Sequence, residues 1–303
     1  MKNYEMFEIS NIKNLKLKSP TVYYYLKSKN FSESYISKLR TSKDSILLNK
    51  TFATLKSQIK DGDTLSVANN PQNSSTILPC DGNLDIVFED DDFLLVNKPH
   101  NLACMPSRSH YSDNLGGIIC KYMQNKDKNF VLRIVNRLDK DTAGLVLVAK
   151  NLIAYNSIKH FKKEYYAICY GNFDEKSFTI NSKIETIQHN GINQMKRIVS
   201  NNGKSAITHI EVVKNFDNFS LIKLTLETGR THQIRVHLSS INHPLLGDKI
   251  YIEEYKILSQ FPFTHTMLLL KKISFTHFRT NQTMEFEINF PPLWTNFLET
   301  KQI

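Results

Sequence analysis

Arg133-Ile-Val-Asn-Arg-Leu-Asp-Lys-Asp-Thr-Ala-Gly-Leu-Val-Leu-Val-Ala-Lys150 sets two arginines, two aspartates and a glycine against a continuous apolar run. Leu145 to Ala149 is uninterrupted by any polar residue and reads as a strand buried on both faces. Charge therefore stands directly beside core. A carboxylate at such an edge is costly if desolvated alone, so Asp139 calls for a cationic or hydrogen-bonding partner from elsewhere in the chain. Gly144 supplies the punctuation. Arginine and aspartate ahead of a strand are by themselves more often a solvated turn than a reacting centre, and the rest of the chain has to decide.

A length of 303 residues suits a main body with a small appendage. The formal charge of +10 and a pI near 9.2 favour a polyanionic partner, nucleic acid first, although solvated lysines contribute to that excess. Cys80, Cys104, Cys120 and Cys169 are widely spaced and never form a Cys-x-x-Cys pair, which suggests reduced thiols and neither a zinc site nor a disulfide framework. The segment Met1-Lys-Asn-Tyr-Glu-Met lacks an apolar core of signal length, and no stretch reaches the roughly 20 apolar residues of a membrane span. A soluble cytoplasmic protein without membrane contact is expected.

Val22, Tyr25, Leu26, Phe31, Tyr35, Ile36 and Leu39 fall at near-helical spacing broken around Lys29-Asn30, which predicts two short helices, the second capped by Ser32. Ile46 to Lys50 and Thr64 to Val67 read as small strands, the latter entered through an Asp61-Gly62-Asp63 turn. Residues 69–83 are polar, carry two prolines and read as a linker. Leu84 to Pro99 predicts two strands around an acidic turn. A surface helix is expected over 151–161, a strand over Lys163 to Gly171, and a hairpin from Ala206–Val213 and Phe219–Leu226. In Glu227-Thr-Gly-Arg-Thr-His-Gln-Ile-Arg-Val-His-Leu238, Gly229 permits a sharp turn, Thr231 can cap, and Ile234, Leu238 and Ile241 share a helical face. His232 and His237 are five residues apart, so they point to different faces and do not suggest a metal. His265 and His277 flank an expected closing strand pair and read as structural.

Asn136-Arg-Leu-Asp-Lys-Asp-Thr-Ala-Gly-Leu145 resembles the signature of the RluA-type RNA pseudouridine synthases, with Asn136 where most of that family carries histidine. Lys163-Glu-Tyr-Tyr-Ala-Ile-Cys-Tyr-Gly171 is similar to the family's second motif and singles out Tyr165 rather than Tyr166. Thr228-Gly-Arg-Thr-His-Gln-Ile-Arg-Val-His-Leu238, followed by His243-Pro-Leu-Leu-Gly-Asp248, resembles its third motif almost residue for residue. Phe31 to Leu39, Leu48-Asn-Lys50 and Lys60-Asp-Gly-Asp63 resemble more loosely a small S-four-like RNA-binding fold, although Asp44-Ser45 stands where a turn glycine is usual.

The resemblance implies an α+β catalytic domain over 84–303, with a mixed, largely antiparallel sheet and flanking helices, joined by the linker to an S-four-like module over 1–68. It implies a monomeric enzyme that converts uridine to pseudouridine in ribosomal or transfer RNA, large-subunit ribosomal RNA foremost, with no cofactor and no metal. Asp139 would be the catalytic carboxylate, Tyr165 would stack on the base, and Arg235 would pair with Asp139. Arg137 would fill the gap left by the flipped uridine, with Asn136, Arg230 and His232 as further substrate contacts. Lys27, Lys38, Arg40 and Lys43 would hold RNA from the amino-terminal module. Two other classes remain open on the residues: a catalytically idle RNA-binding or ribosome-assembly protein, and a base-excising glycosylase, which would need a second acid.

Overall fold

The computed structural model describes residues 4–300 apart from 30, 32, 43, 69–76, 108–110, 129, 190–193 and 253–262. Ser32 and Lys43 therefore lie outside the described residues, as does most of the expected linker. Residues 77–83 lie partly against a later helix, where the Cys80 amide donates to the Gly117 carbonyl at 3.1 Å.

The amino-terminal unit is built from β1 (Tyr4–Glu8), α1 (Val22–Ser28), α2 (Glu33–Thr41), β2 (Ile46–Leu48), β3 (Thr51–Phe52) and β4 (Thr64–Ala68). Its antiparallel sheet runs β1-β4-β2-β3. The spacing of Val22 and Leu26 in α1 and of Ile36 and Leu39 in α2 turns one face of each helix into the same core as Leu65 and Val67, with Phe31 from the connection between them, all of them fully or almost fully buried. Gly62 takes φ +89° in the turn before β4, and Asp44 itself takes φ 52°, a left-handed conformation that aspartate tolerates better than most residues. β1 had no sequence signal because Phe7 is the one buried side chain among its five residues.

The larger unit contains β5 (Ile86–Glu89), β6 (Phe93–Lys98), α3 (Leu115–Gln124), β7 (Ala143–Ala149), α4 (Leu152–Ser157), β8 (Lys159–Tyr170), β9 (Ser177–Asn181), β10 (Ile184–His189), β11 (Gln194–Val199), β12 (Ile207–Asn215), β13 (Phe219–Leu226), α5 (Gln233–Ser240), β14 (Leu268–Thr276), β15 (Thr283–Glu287) and α6 (Pro292–Thr300). Among the described residues nine strands form one mixed sheet in the order β5-β6-β7-β14-β8-β13-β12-β9, with β15 also paired to β14. Every residue of β7 is buried, as its apolar run requires, and each Leu or Val there contributes about 1.5–3 kcal/mol by leaving water. The β7–β14 pairing is parallel, against antiparallel neighbours elsewhere in the sheet. Leu270 of β14 lies opposite Gly144 on one side and Tyr165 on the other. A Cβ on Gly144, where φ is +118°, would fall 2.3 Å from the Leu270 carbonyl oxygen, so glycine is what lets these strands close.

Two sequence expectations are corrected here. The helix expected over 151–161 stops at Ser157, because Lys159 and Lys162 pair with Thr276 and Ser274 and sheet pairing overrides helical periodicity. The segment between Gly171 and Ala206, left without elements, contains β9 and a separate two-stranded sheet, β10–β11. The two units meet at α4: Leu152 is buried in the amino-terminal core, and its amide donates to Glu5 Oε1 at 3.2 Å. Among the described residues no helix is long and apolar enough to cross a membrane.

Candidate active site

The segment before Asp139 behaves as an extra edge beside β7. The Val135 amide donates to the Leu147 carbonyl at 2.8 Å, and the Ala149 amide donates to the Arg133 carbonyl at 2.9 Å. Asn136 then extends the ladder with its side chain, since Nδ2 donates to the Leu145 carbonyl at 3.0 Å and Oδ1 accepts the Leu147 amide at 2.9 Å. The carboxamide imitates a peptide group. Both of its ends are engaged by backbone, so its place in the expected set of substrate contacts is corrected to that of a clip on the loop.

Beyond the clip the chain is pinned at alternate points. The Leu138 amide donates to Cys104 Sγ at 3.3 Å, and the Leu138 side chain is buried. The fully buried Lys98 ammonium donates to the carbonyls of Pro99 and Leu102 at 2.8 Å and of Lys140 at 3.0 Å. Burial pushes the Lys98 pKa down to about 8, against the nearby charges of Asp141 and Asp139. His100 Nδ1 donates to the Asp141 carbonyl at 2.9 Å, and its ring lies 3.8 Å from that of His265. With positions 136, 138, 140 and 141 held, Arg137 and Asp139 are left facing a cleft of about 470 Å³.

The facing wall comes from β8 and from the turn into α5. Tyr165 is buried on β8 and lines the cleft. Burial first, and then the Asp139 carboxylate, pushes its phenol well above the ordinary range, so it stays protonated near neutrality. Arg230, His232 and Arg235 line the same cleft. The sharp turn is made by His232, at φ 57°, rather than by Gly229, and Thr231 does not cap α5. Gln233 organises this corner: its Oε1 accepts from the Arg230 amide at 3.0 Å and from the Thr228 hydroxyl at 2.8 Å, while Nε2 donates to the Ile207 carbonyl at 2.9 Å. His232 Nδ1 is 3.1 Å from the Tyr251 hydroxyl, and burial followed by the charge of Arg235 lowers its pKa.

The expected pairing of Arg235 with Asp139 is corrected by the geometry. Arg235 forks Asp248, with Nε 2.7 Å from Oδ2 and Nη2 2.8 Å from Oδ1. The side chains are 3% and 0% exposed, whereas that of Asp139 is 30% exposed. Asp248, cut off from water, needs the fork; Asp139 keeps part of its hydration and does not. Burial would lower the Arg235 pKa, but Asp248, with Asp139 beyond it, outweighs burial and raises it. The ring nitrogen His232 Nε2 stands 3.9 Å from Asp139 Oδ2.

All seven residues singled out for catalysis and substrate contact thus line one cleft. The amino-terminal cations lie elsewhere: Lys38 and Arg40 are exposed on α2, and Lys27 pairs with Glu33 at 3.0 Å. Sequence reasoning missed Lys98, Asp248, Tyr251 and Lys163, the last of which lines the cleft with its pKa lowered by burial. Their signal was available only in part, since Lys163 and Asp248 sit inside motifs already marked. His237 is a core residue, its ring nitrogens 2.9 Å from Thr208 Oγ1 and from the Ser182 carbonyl.

A family model described as RNA pseudouridylate synthase matches residues 92–240, which contain Asp139, Tyr165 and Arg235. A Bacillus subtilis protein named as an uncharacterized RNA pseudouridine synthase is 34% identical over 250 residues, covering 80% of each chain. This chain belongs to the RluA-type RNA pseudouridine synthases. Another relative, ribosomal large subunit pseudouridine synthase D of Blochmanniella floridana, is 33% identical over 238 residues, 75% of this chain and 73% of that protein. Among solved structures, human RNA pseudouridylate synthase domain containing 1 superposes with a TM-score of 0.55 at 25% identity, covering 73% of this chain and 87% of that one. As a pseudouridine synthase fold, the mixed sheet with flanking helices agrees with the α+β class expected from the sequence. Asp248 and Tyr251, which organise Arg235 and His232, fall beyond the matched span.

Proposed function

We propose that this enzyme isomerises specific uridines to pseudouridine in structured RNA, large-subunit ribosomal RNA foremost and transfer RNA second, acting as a monomer in the cytoplasm. The observation that carries the reading is the single cleft in which Asp139 faces Tyr165 and Arg235. The reaction breaks the C1′–N1 bond, turns the held uracil and joins C5 to C1′. The C5 proton leaves and N1 gains one, so neither a redox partner nor a cofactor is required. Asp139, ionised, either attacks C1′ or assists a glycal-type intermediate. Tyr165 enters as a neutral phenol whose ring stacks on the base. Arg235, held by Asp248, supplies fixed positive charge near the reacting carboxylate. Arg137, exposed beside the cleft, fills the helix position vacated by the flipped nucleotide. Arg230 and His232 contact the bound RNA.

The amino-terminal unit, residues 1–68, serves in this reading as an S-four-like module that meets RNA phosphates through Lys27, Lys38 and Arg40, with residues 84–303 as the catalytic body. Release of tritium from C5-labelled uridine in large-subunit ribosomal RNA tests the activity, and comparing pseudouridines position by position between a deletion strain and its parent tests the target. Parent protein that releases no tritium from ribosomal or transfer RNA would overturn the reading and leave an idle RNA-binding protein.

A further inference from the structure

A second recess of about 450 Å³ adjoins the cleft, and Gly229, Arg230 and Thr231 line both. Its other sides are β10, β11 and the turn from Ser200 to Lys204. Arg197, Lys204 and Arg230 converge there against one carboxylate, Glu185. Arg197 Nη1 is shut off from solvent and has no hydrogen-bond partner among the described residues. A guanidinium N–H without an acceptor among the described residues is an unmet hydrogen-bonding group, and it marks this side chain as held at the recess wall by other contacts. Arg230 Nε is already bound to the Ser205 carbonyl at 3.0 Å, which fixes how that side chain crosses the rim.

The recess is rigidly built. Gly203 packs so closely on β10 that a Cβ would lie 2.4 Å from the Ile184 carbonyl carbon. Ile184 and Lys204 exchange both backbone hydrogen bonds at 2.9 Å, so Lys204 leaves the backbone at a set place. The recess is also tied to the reacting groups, because the Tyr251 hydroxyl accepts the Arg197 amide at 3.2 Å and stands 3.1 Å from His232 Nδ1. Among its described lining residues none is aromatic, so it offers no surface on which a base could stack, whereas Thr186, Asn202 and Thr231 add neutral donors to the cations.

We propose that this recess is a phosphate subsite that grips the RNA backbone beside the target uridine, with Arg197 and Lys204 as its principal ligands. The proposal rests on RNA being the substrate. A phosphate seated there meets the cationic lining supplied by Arg197, Lys204 and Arg230 and, through Tyr251 and His232, registers the backbone against the side of the cleft where Asp139 stands. Arg197 and Lys204 are positioning residues in this scheme; they act on substrate placement and leave the reacting bonds alone.

The test uses Lys204→Gln, Arg197→Gln and Arg197→Lys in the full chain, with Lys214→Gln as a control that removes the same charge at the far end of β12. Lys204 is exposed, so its variant keeps the fold and keeps the question open to refutation even if an Arg197 variant does not fold. Tritium release gives KM and kcat, and fluorescence anisotropy of a labelled ribosomal RNA hairpin gives affinity at several salt concentrations. Each glutamine variant should raise KM by about tenfold with kcat within about twofold, and Arg197→Lys should recover part of the loss. The slope of log affinity on log salt should fall in each single glutamine variant, and by about 0.7–0.9 when Lys204→Gln and Arg197→Gln are combined, since both residues meet one phosphate. KM and salt slope unchanged in both Lys204→Gln and Arg197→Gln, or changed equally by Lys214→Gln, would overturn the subsite. A parent that binds RNA without releasing tritium would overturn the isomerase reading instead, and the salt slopes would still decide the subsite.

Discussion

Replacing Asp248 by alanine removes both prongs of the Arg235 fork and leaves a guanidinium whose side chain is 3% exposed with no counter-charge within 4 Å among the described residues. It also takes an acceptor from the Ile250 and Tyr251 amides, which lie 2.9 and 3.2 Å from Asp248 Oδ1. Breaking a buried pair from one side costs about 3–5 kcal/mol. For a catalytic body of this size each kcal/mol is worth roughly 2–4 °C, so the melting temperature should fall by about 6–20 °C. Because neither partner meets solvent, the loss should persist in high salt, unlike that of a surface pair. Arg235→Met should cost as much by stranding the Asp248 carboxylate, and Arg235→Met with Asp248→Leu should recover most of the stability, since the double variant strands no charge. Thermal melts of the four proteins at low and high salt decide the matter. Single variants melting within about 2 °C of the parent, or a double variant whose loss is the sum of the two single losses, would refute the reasoning.

Asp139→Asn should abolish tritium release while leaving the melt and RNA affinity near those of the parent, because a partly hydrated carboxylate contributes little to the fold; turnover within about tenfold of the parent would sink the assignment. Asn136→Ala should cost about 1–3 kcal/mol by orphaning the Leu145 carbonyl and the Leu147 amide, whereas Asn136→His should change the single-turnover rate by less than about tenfold, and a larger rise would give position 136 a role in the chemistry. Burial pushes His100 down to about 4 from an ordinary value near 6.5. The unfolded chain therefore binds a proton that the folded one refuses between those pH values, stability falls as pH drops through that window, and His100→Gln should show a flatter melt-against-pH curve there than the parent. A chain beginning at Gly82 should keep Asp139-dependent turnover at saturating RNA, melt lower because Leu152 loses its cover, and bind RNA with a salt slope shallower by about 0.7–0.9 for each phosphate that the missing unit would have neutralised; an unchanged slope would mean that the amino-terminal unit does not touch RNA.

How much was legible depended on whether the information was local. β7 was readable because a strand buried on both faces needs no alternation, and Gly144 marked its start. The cleft residues were readable because fixed spacings carried the resemblance. The partner of Arg235 was misassigned because a charge pair is set by relative burial, and the sequence contains nothing that ranks Asp248 below Asp139 in exposure. Lys98 was overlooked for a related reason, since one of its acceptors, the Lys140 carbonyl, lies 42 residues away and backbone acceptors leave no trace in residue type. The β10–β11 hairpin escaped because it lies outside the main sheet. Its sequence, Ile184-Glu-Thr-Ile-Gln-His189 paired with Gln194-Met-Lys-Arg-Ile-Val199, has a weak apolar pattern.

The place of β14 has a consequence for when the enzyme becomes competent. Asp139 precedes β7 in one half of the sheet and Tyr165 lies on β8 in the other, although the two strands are neighbours in sequence. They are joined laterally where Leu270 inserts between Gly144 and Tyr165. On a ribosome, the carboxylate and its facing tyrosine are therefore translated early and sit on two half-sheets with open edges until β14 emerges. About 100 residues separate Tyr165 from the start of β14, so at about 5–20 residues per second that interval is roughly 5–20 s. Until β14 is made, the walls that carry Asp139 and Tyr165 have no backbone hydrogen bonds joining them. The strand that completes the hydrogen-bonded ladder therefore also sets the point in synthesis at which the two walls of the cleft can be joined.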